Sequence, residues 1–444
     1  MISSKAKPKS KAVAKTVLYI SFILLVASCN ECPTEPEYDI YLSLEEVLST
    51  SVMIKVTLPD SGQINHFELE RNDSTIATYS CLDDDTLITD NELIPDTKYT
   101  YQVRFLKDDK TKAQSEAITI HTLATTSHDF VWEIDTLGIY GSYLKDAWIV
   151  DEDDIWVVGN IVMPDPDSSW NGTGRETFNA AHWNGKEWEL MRLCPQNSYY
   201  EAQGIWVFSD DDILITSNGT INHYNGKNVK RLWTIGDWQN GSIGNIWASS
   251  PDNIYFVGRK GSIVHYDGSN FKKMESGTDV NLFDIDGTPD GKYVYAVGYN
   301  IKVPSKSIAL EIVNSEVNQL YYTEGLYQEG TYGYVGSVSV KDHYVYFSTP
   351  AGIWKYDFTN ERSEIMDKVK DFECGSLFVI DHNDIIGYGG GMGYIHYNGE
   401  TWIERTRLGH HIFSHNGGDY KNGLAVIVGY TTFDWKAIIA RGHR

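Results

Sequence analysis

Apolar and polar residues alternate along most of the chain, and between Asp146 and Ile439 the alternation is organised into a repeated unit. Each copy has an apolar run, an Asp-rich turn, a second apolar run, a Gly-containing turn, a third run, an Asn-Gly or Asp-Gly turn and a fourth run. Clear copies begin at Gly204, Gly244 and Gly375. Such alternation is typical of strands, and Asn-Gly and Asp-Gly are typical of tight hairpins. Each unit therefore predicts four antiparallel strands.

The second apolar run recurs about every 40 residues, with insertions in two copies. A four-stranded unit of this length resembles a blade of a β-propeller, and the resemblance implies a propeller over residues 128–444. Seven blades are predicted, and six or eight would follow if the fourth and fifth copies were divided differently. The copies align on the apolar residues Ile155, Ile213, Ile254, Val294, Val345, Ile385 and Leu424.

An aromatic residue precedes the second run in four copies, and we expect it to pack between neighbouring sheets. In the fourth copy Phe283 is expected at this position, and in the fifth Val338. The aromatic residues in question are Trp148, Trp206, Trp247 and Phe378.

The seventh copy ends one strand short, because only two apolar runs follow Leu424 before the chain stops. The segment that begins at Val131 has the pattern of a fourth strand and lies before the first copy. We therefore predict that the strand near Trp132 pairs with the last strand and closes the ring, which removes an open sheet edge.

Residues 1–28 have the pattern of an export signal, with lysines at 5 to 15 followed by an apolar run too short to span a membrane comfortably. The sequence Leu-Val-Ala-Ser-Cys at 25–29 resembles a bacterial lipobox. The resemblance implies a lipid on Cys29 and an extracytoplasmic protein anchored to the outer membrane or cell surface. An ordinary secretory signal is the alternative. The acidic residues 29–37 are predicted to form a tether.

Residues 38–124 carry a separate pattern of alternating strands. Tyr99 stands at the start of a late strand, immediately after Leu93–Lys98. This segment resembles a fibronectin type III domain, in which such a tyrosine hydrogen-bonds to upstream backbone. The fold class predicted is therefore all-β, a fibronectin type III-like β-sandwich followed by a β-propeller.

The net charge of −24 disfavours nucleic acid or an anionic membrane surface as a partner, so the only membrane contact expected is the lipid anchor. The five cysteines lack the spacing of a metal site, and their pairing cannot be deduced. The Asp-rich turns lack the ligand spacing of a calcium loop. We expect no metal and no cofactor. A repeated structural hydrogen bond is predicted for His182, His223, His265 and His396.

In a propeller, the connections between second and third strands and between successive units share one face, here called the loop face. The Asp-rich turns and Asn-Gly or Asp-Gly hairpins share the opposite face, here called the turn face. Aromatic residues accumulate in the unequal loops of the loop face, where binding to a glycan or protein is expected. The ligand-binding residues predicted are Trp170, Arg175, Tyr199, Tyr200, Trp238, Tyr327, Tyr332, His411, Phe433 and Trp435.

The sequence contains no nucleophile elbow, P-loop or HExxH motif, so no catalytic residue is assigned. The function predicted is a lipid-anchored binding protein with the propeller as its head. The alternative is a carbohydrate-active enzyme, a glycoside hydrolase or lyase, that uses acidic residues at the mouth of the channel. A carboxylate pair in a deep axial pocket would favour the enzyme.

Overall fold

The computed structural model describes residues 40–57, 66–80, 85–107, 110–165, 174–195, 199–234, 241–302, 304–325, 332–366, 374–389, 393–408 and 413–444. In that part of the chain all regular structure is β-strand, arranged in antiparallel sheets. Across the same residues there is no helix of the length and apolarity needed to cross a membrane.

The first region, residues 40–121, forms two sheets around one apolar core. Its strands are β1 (Tyr41–Val47), β2 (Val52–Thr57), β3 (His66–Arg71), β4 (Ser74–Ser80), β5 (Asp85–Asp90), β6 (Lys98–Lys107), β7 (Lys110–Gln114) and β8 (Ile118–His121). One sheet has the order β1-β2-β5, and the other has the order β4-β3-β6-β7 with β8 also paired to β6. The Tyr99 hydroxyl accepts a hydrogen bond from the Ile94 backbone N–H at 2.9 Å. This bond ties the start of β6 to the turn before it.

The repeat region begins with β9 (Val131–Leu137) and continues into four-stranded sheets, seven of them among the described residues. Sheet 1 consists of β10 (Tyr143–Asp151), β11 (Asp154–Pro164), β12 (Arg175–Trp183) and β13 (Trp188–Met191). Sheet 2 consists of β14 (Gly204–Ser209), β15 (Asp212–Ser217), β16 (Thr220–Tyr224) and β17 (Val229–Thr234). Sheet 3 consists of β18 (Ser242–Ser250), β19 (Asn253–Arg259), β20 (Ile263–Tyr266) and β21 (Phe271–Met274).

The remaining sheets continue this order along the chain. Sheet 4 consists of β22 (Leu282–Gly287), β23 (Tyr293–Asn300), β24 (Lys306–Val313) and β25 (Glu316–Glu324). Sheet 5 consists of β26 (Ser337–Lys341), β27 (Tyr344–Thr349), β28 (Gly352–Asp357) and β29 (Arg362–Met366). Sheet 6 consists of β30 (Cys374–Asp381), β31 (Asp384–Gly389), β32 (Gly393–Tyr397) and β33 (Trp402–Arg407). Sheet 7 contains β34 (Phe413–Lys421), β35 (Leu424–Thr431) and β36 (Ala437–His443).

The fourth strand of sheet 7 is β9, which pairs antiparallel with β36 from Val131↔His443 to Leu137↔Ala437. The side chain of Arg441, only 7% exposed, forms ion pairs of 3.0 Å with both Glu133 and Asp135 of β9. The pairing predicted for the Trp132 segment is therefore present.

Apolar clusters join each sheet to its neighbours in the chain. Trp156 and Val158 of sheet 1, for example, pack with Ile205 and Ile213 of sheet 2. The first sheet also packs on the last one, because a second cluster contains Ile149 and Ile155 together with Val426 and Ile439. The residues on which the copies were aligned are all buried, at 0–5% exposure.

Within sheets 1, 2 and 3, the turn between the first and second strands lies beside the hairpin between the third and fourth strands, as predicted for the turn face. The hairpin glycines Gly185, Gly226 and Gly268 adopt φ of +80°, +75° and +83°, and a Cβ on any of them would meet Asp153, Asp211 or Asp252. Only glycine fits there without strain. The predicted histidine hydrogen bond is confirmed, with Nε2 to Oδ1 distances of 2.8–3.0 Å for the pairs His182–Asp154, His223–Asp212, His265–Asn253 and His396–Asp384.

The prediction for Phe283 is wrong. Val338 packs between sheets 4 and 5 as predicted, in a cluster with Tyr295 and Phe347, but the register position equivalent to Trp247 belongs to Ser339. In the register of the first and second strands, Trp247 is opposite Tyr255. The equivalent residue opposite Tyr295 in sheet 4 is Asp286, and the one opposite Tyr346 in sheet 5 is Ser339. Counting backwards from the second strand fails because the turn between β22 and β23 is longer than the others, and because β26 lacks the β-bulge that β10, β14, β18 and β30 have before this turn. Phe283 lies nearer the other end of β22, where it is 47% exposed and its ring centroid is 5.2 Å from that of Tyr299.

The first region contacts the turn face of sheets 5 and 6. Glu46 of β1 forms an ion pair with Lys355 of β28, and these side chains are 8% and 4% exposed. The Lys355 ammonium also lies 3.9 Å from the centroid of the Tyr344 ring. The Asn383 amide donates to the Ala124 carbonyl at 2.6 Å, so the connection after β8 is held at the same turn. The loop face is the opposite face.

Candidate functional site

An exposed group of aromatic residues stands on the loop face of sheets 7 and 1. Tyr140, Phe433 and Trp435 are 61%, 97% and 43% exposed. The Trp435 ring lies 6.0 Å from the Tyr140 ring and 5.2 Å from the Tyr430 ring, with interplanar angles of 31° and 38°. We call these four residues the aromatic cluster. Tyr430 lies at the end of β35, Phe433 and Trp435 lie in the turn between β35 and β36, and Tyr140 lies in the connection between β9 and β10.

The turn that carries the cluster is held by hydrogen bonds in a strained conformation. Trp435 has φ of +50°, a region that bulky residues seldom occupy and that costs about 1–3 kcal/mol. Its carbonyl accepts hydrogen bonds from the backbone N–H groups of Gly141 and Ser142, both at 3.0 Å. The Thr431 hydroxyl accepts from the Lys436 N–H at 2.9 Å. These hydrogen bonds therefore hold the backbone of Trp435 in place.

A chain of hydrogen bonds connects the cluster to the next loops on this face. The Asn160 amide donates to the Gly141 carbonyl at 2.7 Å, and the Tyr199 hydroxyl donates to the Asn160 side-chain oxygen. The Tyr143 hydroxyl likewise donates to Glu201. Tyr200 and Glu201 then line a cavity on the axis of the sheets.

The axial cavity has a volume of about 1460 Å³ and is lined by the first strands of all seven sheets in the described part of the chain. Trp148 and Trp206 line it and also pack on each other, with ring centroids 4.4 Å apart. Side chains from six sheets that face it are Asp146, Trp206, Asn245, Asp284, Ser339 and Asp419.

The carboxyl groups around this cavity link one sheet to the next. Asp146 accepts hydrogen bonds from the N–H groups of Ala147 at 2.9 Å and Ile205 at 3.1 Å. The same kind of bond joins other neighbouring sheets. The N–H groups of Val338, Val340 and Ile149 donate to the carboxylates of Asp284, Asp286 and Asp419, respectively, at 2.7–3.0 Å. In sheet 5, Ser337 and Ser339 replace the carboxyl groups and accept from Leu377 and Val379.

Enclosure by the first strands changes the ionisation of these carboxyl groups. Removal from bulk solvent raises the pKa of Asp146 to about 8, that of Asp284 to about 6 and that of Asp286 to about 7, although the backbone hydrogen bonds oppose the shift. Carboxyl groups therefore line the axial cavity, and the hydrogen bonds that they accept from backbone N–H groups join neighbouring sheets. Among the residues described, no group of three or more His, Cys, Asp or Glu side chains could hold a metal ion.

Comparison with known proteins identifies the fold. No family model and no curated protein matches this chain. The structure of YCF48 bound to D1 peptide is similar over 72% of this chain and 98% of its own, with 16% identity and a TM-score of 0.52. Streptogramin B lyase is similar over 71% of this chain and 97% of its own, with 10% identity and a TM-score of 0.50. Both are β-propeller proteins. The repeat region has the β-propeller fold.

Five of the predicted ligand-binding residues lie around sheets 7, 1 and 2 of the propeller. Phe433 and Trp435 belong to the aromatic cluster, Tyr199 and Tyr200 lie between it and the cavity, and Arg175 is exposed at the start of β12. Tyr332 lies elsewhere and packs flat on Trp354, with ring centroids 4.6 Å apart. It holds a loop against sheet 5. Outside the described residues lie Trp170, Trp238, Tyr327 and His411.

Tyr140, which lies beside Trp435 in the structure, is not among the residues predicted from the sequence. Its neighbours Gly138 and Gly141 both have positive φ, so the segment turns sharply at this point. An aromatic residue between two glycines, directly after a strand, was the available signal for an exposed turn residue.

The axial carboxyl groups predict how the stability of the propeller varies with pH. Because the pKa of Asp286 is about 7 in the fold against 3.8 ordinarily, the folded protein keeps a proton that the unfolded chain releases. This contribution is complete below the unfolded pKa and is lost as the pH rises through about 7. Asp286→Ser, which imitates Ser339, should therefore weaken the fall of the melting temperature between about pH 5 and pH 8.

The matched control for this prediction is Glu316→Gln, because Glu316 is exposed on β25. It should leave the pH profile of the parent protein unchanged. If Asp286→Ser also kept that profile, Asp286 would be ionised in the folded propeller and the burial argument would be wrong.

Proposed function

We propose that this protein is a lipid-anchored extracytoplasmic binding protein that presents the loop face of a seven-bladed propeller to a glycan or protein. Cys29 would carry the lipid, and residues 29–37 would tether the folded regions to the membrane. The proposal rests on one observation above all. The first region contacts the turn face, while the exposed aromatic cluster stands on the opposite face. The loop face, opposite the face that the first region contacts, therefore carries the exposed aromatic residues that we expect to contact a ligand.

A closed ring of seven blades is part of this proposal. It is supported by the seven four-stranded sheets found in the described residues and by the pairing of β9 with β36. Contacts between the last and first sheets add support, since Asp419 accepts from the Ile149 N–H at 2.8 Å and the Lys421 ammonium donates to the Val150 carbonyl at 2.9 Å. These contacts join the last sheet to the first.

A fibronectin type III-like sandwich is proposed for the first region. The strand orders β1-β2-β5 and β4-β3-β6-β7, with β8 on β6, agree with that architecture. The hydrogen bond to the Tyr99 hydroxyl agrees with the tyrosine corner. In this arrangement the sandwich stands between the anchor and the turn face, and it holds the loop face away from the membrane.

Binding is favoured over the alternative of a carbohydrate-active enzyme because the axial carboxyl groups accept backbone hydrogen bonds between sheets. A catalytic acid or base must instead lie within hydrogen-bonding distance of a substrate. YCF48, which shares the fold, has been solved with a bound peptide, and this precedent supports a macromolecular ligand.

The proposal predicts that loop-face variants lose ligand while turn-face variants keep it. The double variant Phe433→Ala, Trp435→Ala should capture less material from cell-envelope extract or from purified envelope polysaccharide than the parent does. Truncation of an aromatic anchor at the centre of an interface commonly costs about 2 kcal/mol or more, close to thirtyfold in affinity.

The turn-face variants Asp153→Ala, Asp211→Ala and Asp252→Ala are the matched controls, because all three positions are at the opposite face. They should retain capture. If the turn-face variants lost capture while the loop-face double variant kept it, binding would take place on the turn face and the proposal would be wrong.

A further inference from the structure

The aromatic cluster exposes a small apolar surface. A large aromatic side chain has about 150–250 Å² of surface, so the exposed fractions of Tyr140, Phe433 and Trp435 amount to roughly 400 Å². An exposed apolar patch of this size on a soluble domain is often functional. It is about half of the 800 Å² that each partner contributes to a stable protein interface. The patch by itself therefore suits a ligand smaller than a folded protein.

The two charged side chains of the turn that carries the cluster, Asp434 and Lys436, are paired with each other. Asp434 lies between Phe433 and Trp435, and its carboxylate accepts a hydrogen bond from the Thr431 hydroxyl and forms a 3.1 Å ion pair with Lys436. The whole chain carries a net charge of −24. An anionic ligand would be repelled at long range, and a cationic one would find no unpaired carboxylate in the turn itself. A neutral ligand fits these conditions.

The rings lie in a series, each inclined to the next. Tyr430, Trp435 and Tyr140 follow one another at centroid distances of 5.2 and 6.0 Å, with angles of 38° and 31° between successive planes. Two hydrogen bonds to the Trp435 carbonyl hold the backbone of the central residue despite its positive φ. A ligand therefore meets a turn whose backbone is already held, which lowers the entropic cost of binding.

We propose that the aromatic cluster binds the pyranose rings of a neutral, β-linked glycan chain. This inference rests on the proposed function and names the ligand of the loop face at this cluster. The equatorial hydroxyl groups of such a sugar leave C–H groups on both ring faces, and these stack on aromatic rings. Tyr and Trp add polar tips that can hydrogen-bond to the hydroxyl groups at the edge of the sugar. The three aromatic planes are inclined to one another by 31° and 38°, so neighbouring sugar rings of the chain would stack on rings of different inclination.

The test is titration of the full-length chain, purified in detergent, with cellohexaose, xylohexaose and laminarihexaose. Binding is followed by tryptophan fluorescence and by calorimetry. At least one of the three oligosaccharides should bind. Trp435→Ala and Tyr140→Ala should each weaken that binding about tenfold or more. Trp435→Phe, which keeps a ring at the centre of the cluster, should retain most of the affinity.

The matched control is Tyr41→Ala, since Tyr41 is 58% exposed but lies on β1 of the first region. It should bind as the parent does. Failure of all three oligosaccharides to bind would overturn the inference, and so would binding that survives Trp435→Ala in a variant with the parent's melting temperature. If loop-face capture of an envelope protein persisted without any oligosaccharide binding, the glycan would be excluded while the proposed loop-face function would stand.

Discussion

A chain in which residues 130–137 are replaced by a Gly/Ser segment of the same length should lose the cooperative unfolding of the propeller. The replacement removes the side chains that pack this strand on the sheet and substitutes residues that disfavour a strand, so β36 loses a stable partner along the register from Ala437 to His443. It also removes the Glu133 and Asp135 partners of the buried Arg441, which leaves an uncompensated charge. Calorimetry should show a much lower or a broad transition.

Two point variants on the same strand provide a matched comparison. Trp132 packs on Tyr394, with ring centroids 4.9 Å apart, whereas Val131 is 71% exposed. Trp132→Ala should therefore cost about 3 kcal/mol of unfolding free energy, and Val131→Ala less than about 0.5 kcal/mol. If the replaced chain melted as the parent does, β9 would not belong to sheet 7 and the proposed closure of the ring would be wrong.

The second large effect is expected for Lys355→Ala, which leaves the carboxylate of Glu46 buried between the first region and the propeller. Removal of one partner from a buried ion pair typically costs about 3–5 kcal/mol. The neighbouring acid Glu364, 65% exposed and 3.6 Å from the Lys355 ammonium, remains in solvent and adds little. Chemical denaturation should detect the loss. Limited proteolysis should also cut more readily between β8 and β9, because the first region is then less firmly held.

Lys341→Ala is the matched control for this variant. The Lys341 and Asp381 side chains are 29% and 46% exposed and 3.9 Å apart, a geometry that contributes at most about 1 kcal/mol. The double variant Glu46→Gln, Lys355→Met should recover much of the stability, since no charge is left unpaired. Equal stability of Lys355→Ala and Lys341→Ala would mean that the two regions are not joined through this ion pair.

The sequence predicted the repeat unit well because the determinants of that unit are local. Period-two alternation, Asn-Gly and Asp-Gly hairpins and a recurring histidine each depend on residues within one sheet. The pairing of the Trp132 segment with the end of the chain could also be predicted, because a missing strand and a spare strand of the same pattern were both visible in the sequence.

Positions that depend on turn length could not be read from the sequence in the same way. The turn between β22 and β23 is longer than its equivalents. The turn between β26 and β27 has the usual length, but β26 lacks the register shift that β10, β14, β18 and β30 have just before the turn. Asp286 and Ser339 therefore stand where Phe283 and Val338 were expected. The predicted aromatic position is thus polar in these two sheets, where its occupants accept hydrogen bonds from the next sheet.

The candidate site was predicted in part, since sequence can identify loop aromatics but not their partners in space. Trp435 and Phe433 lie on a loop, as the sequence predicts. Tyr140, which completes the cluster, is far from Trp435 in the sequence because almost the whole propeller lies between them. Tyr332 illustrates the same limit, because an aromatic loop residue that packs on Trp354 has the same sequence signal as one that faces solvent.

The most direct test of a binding loop face is photo-crosslinking in cells that produce the full-length chain. A photoreactive phenylalanine analogue is placed at Phe433, which is 97% exposed on the loop face, or at Asp211, which is exposed on the turn face. Irradiation should give a discrete adduct, to glycan or protein, from position 433 and none from position 211. Cys29→Ser should reduce the adduct by releasing the chain from the membrane. An adduct from position 211 alone would contradict the proposed orientation and function.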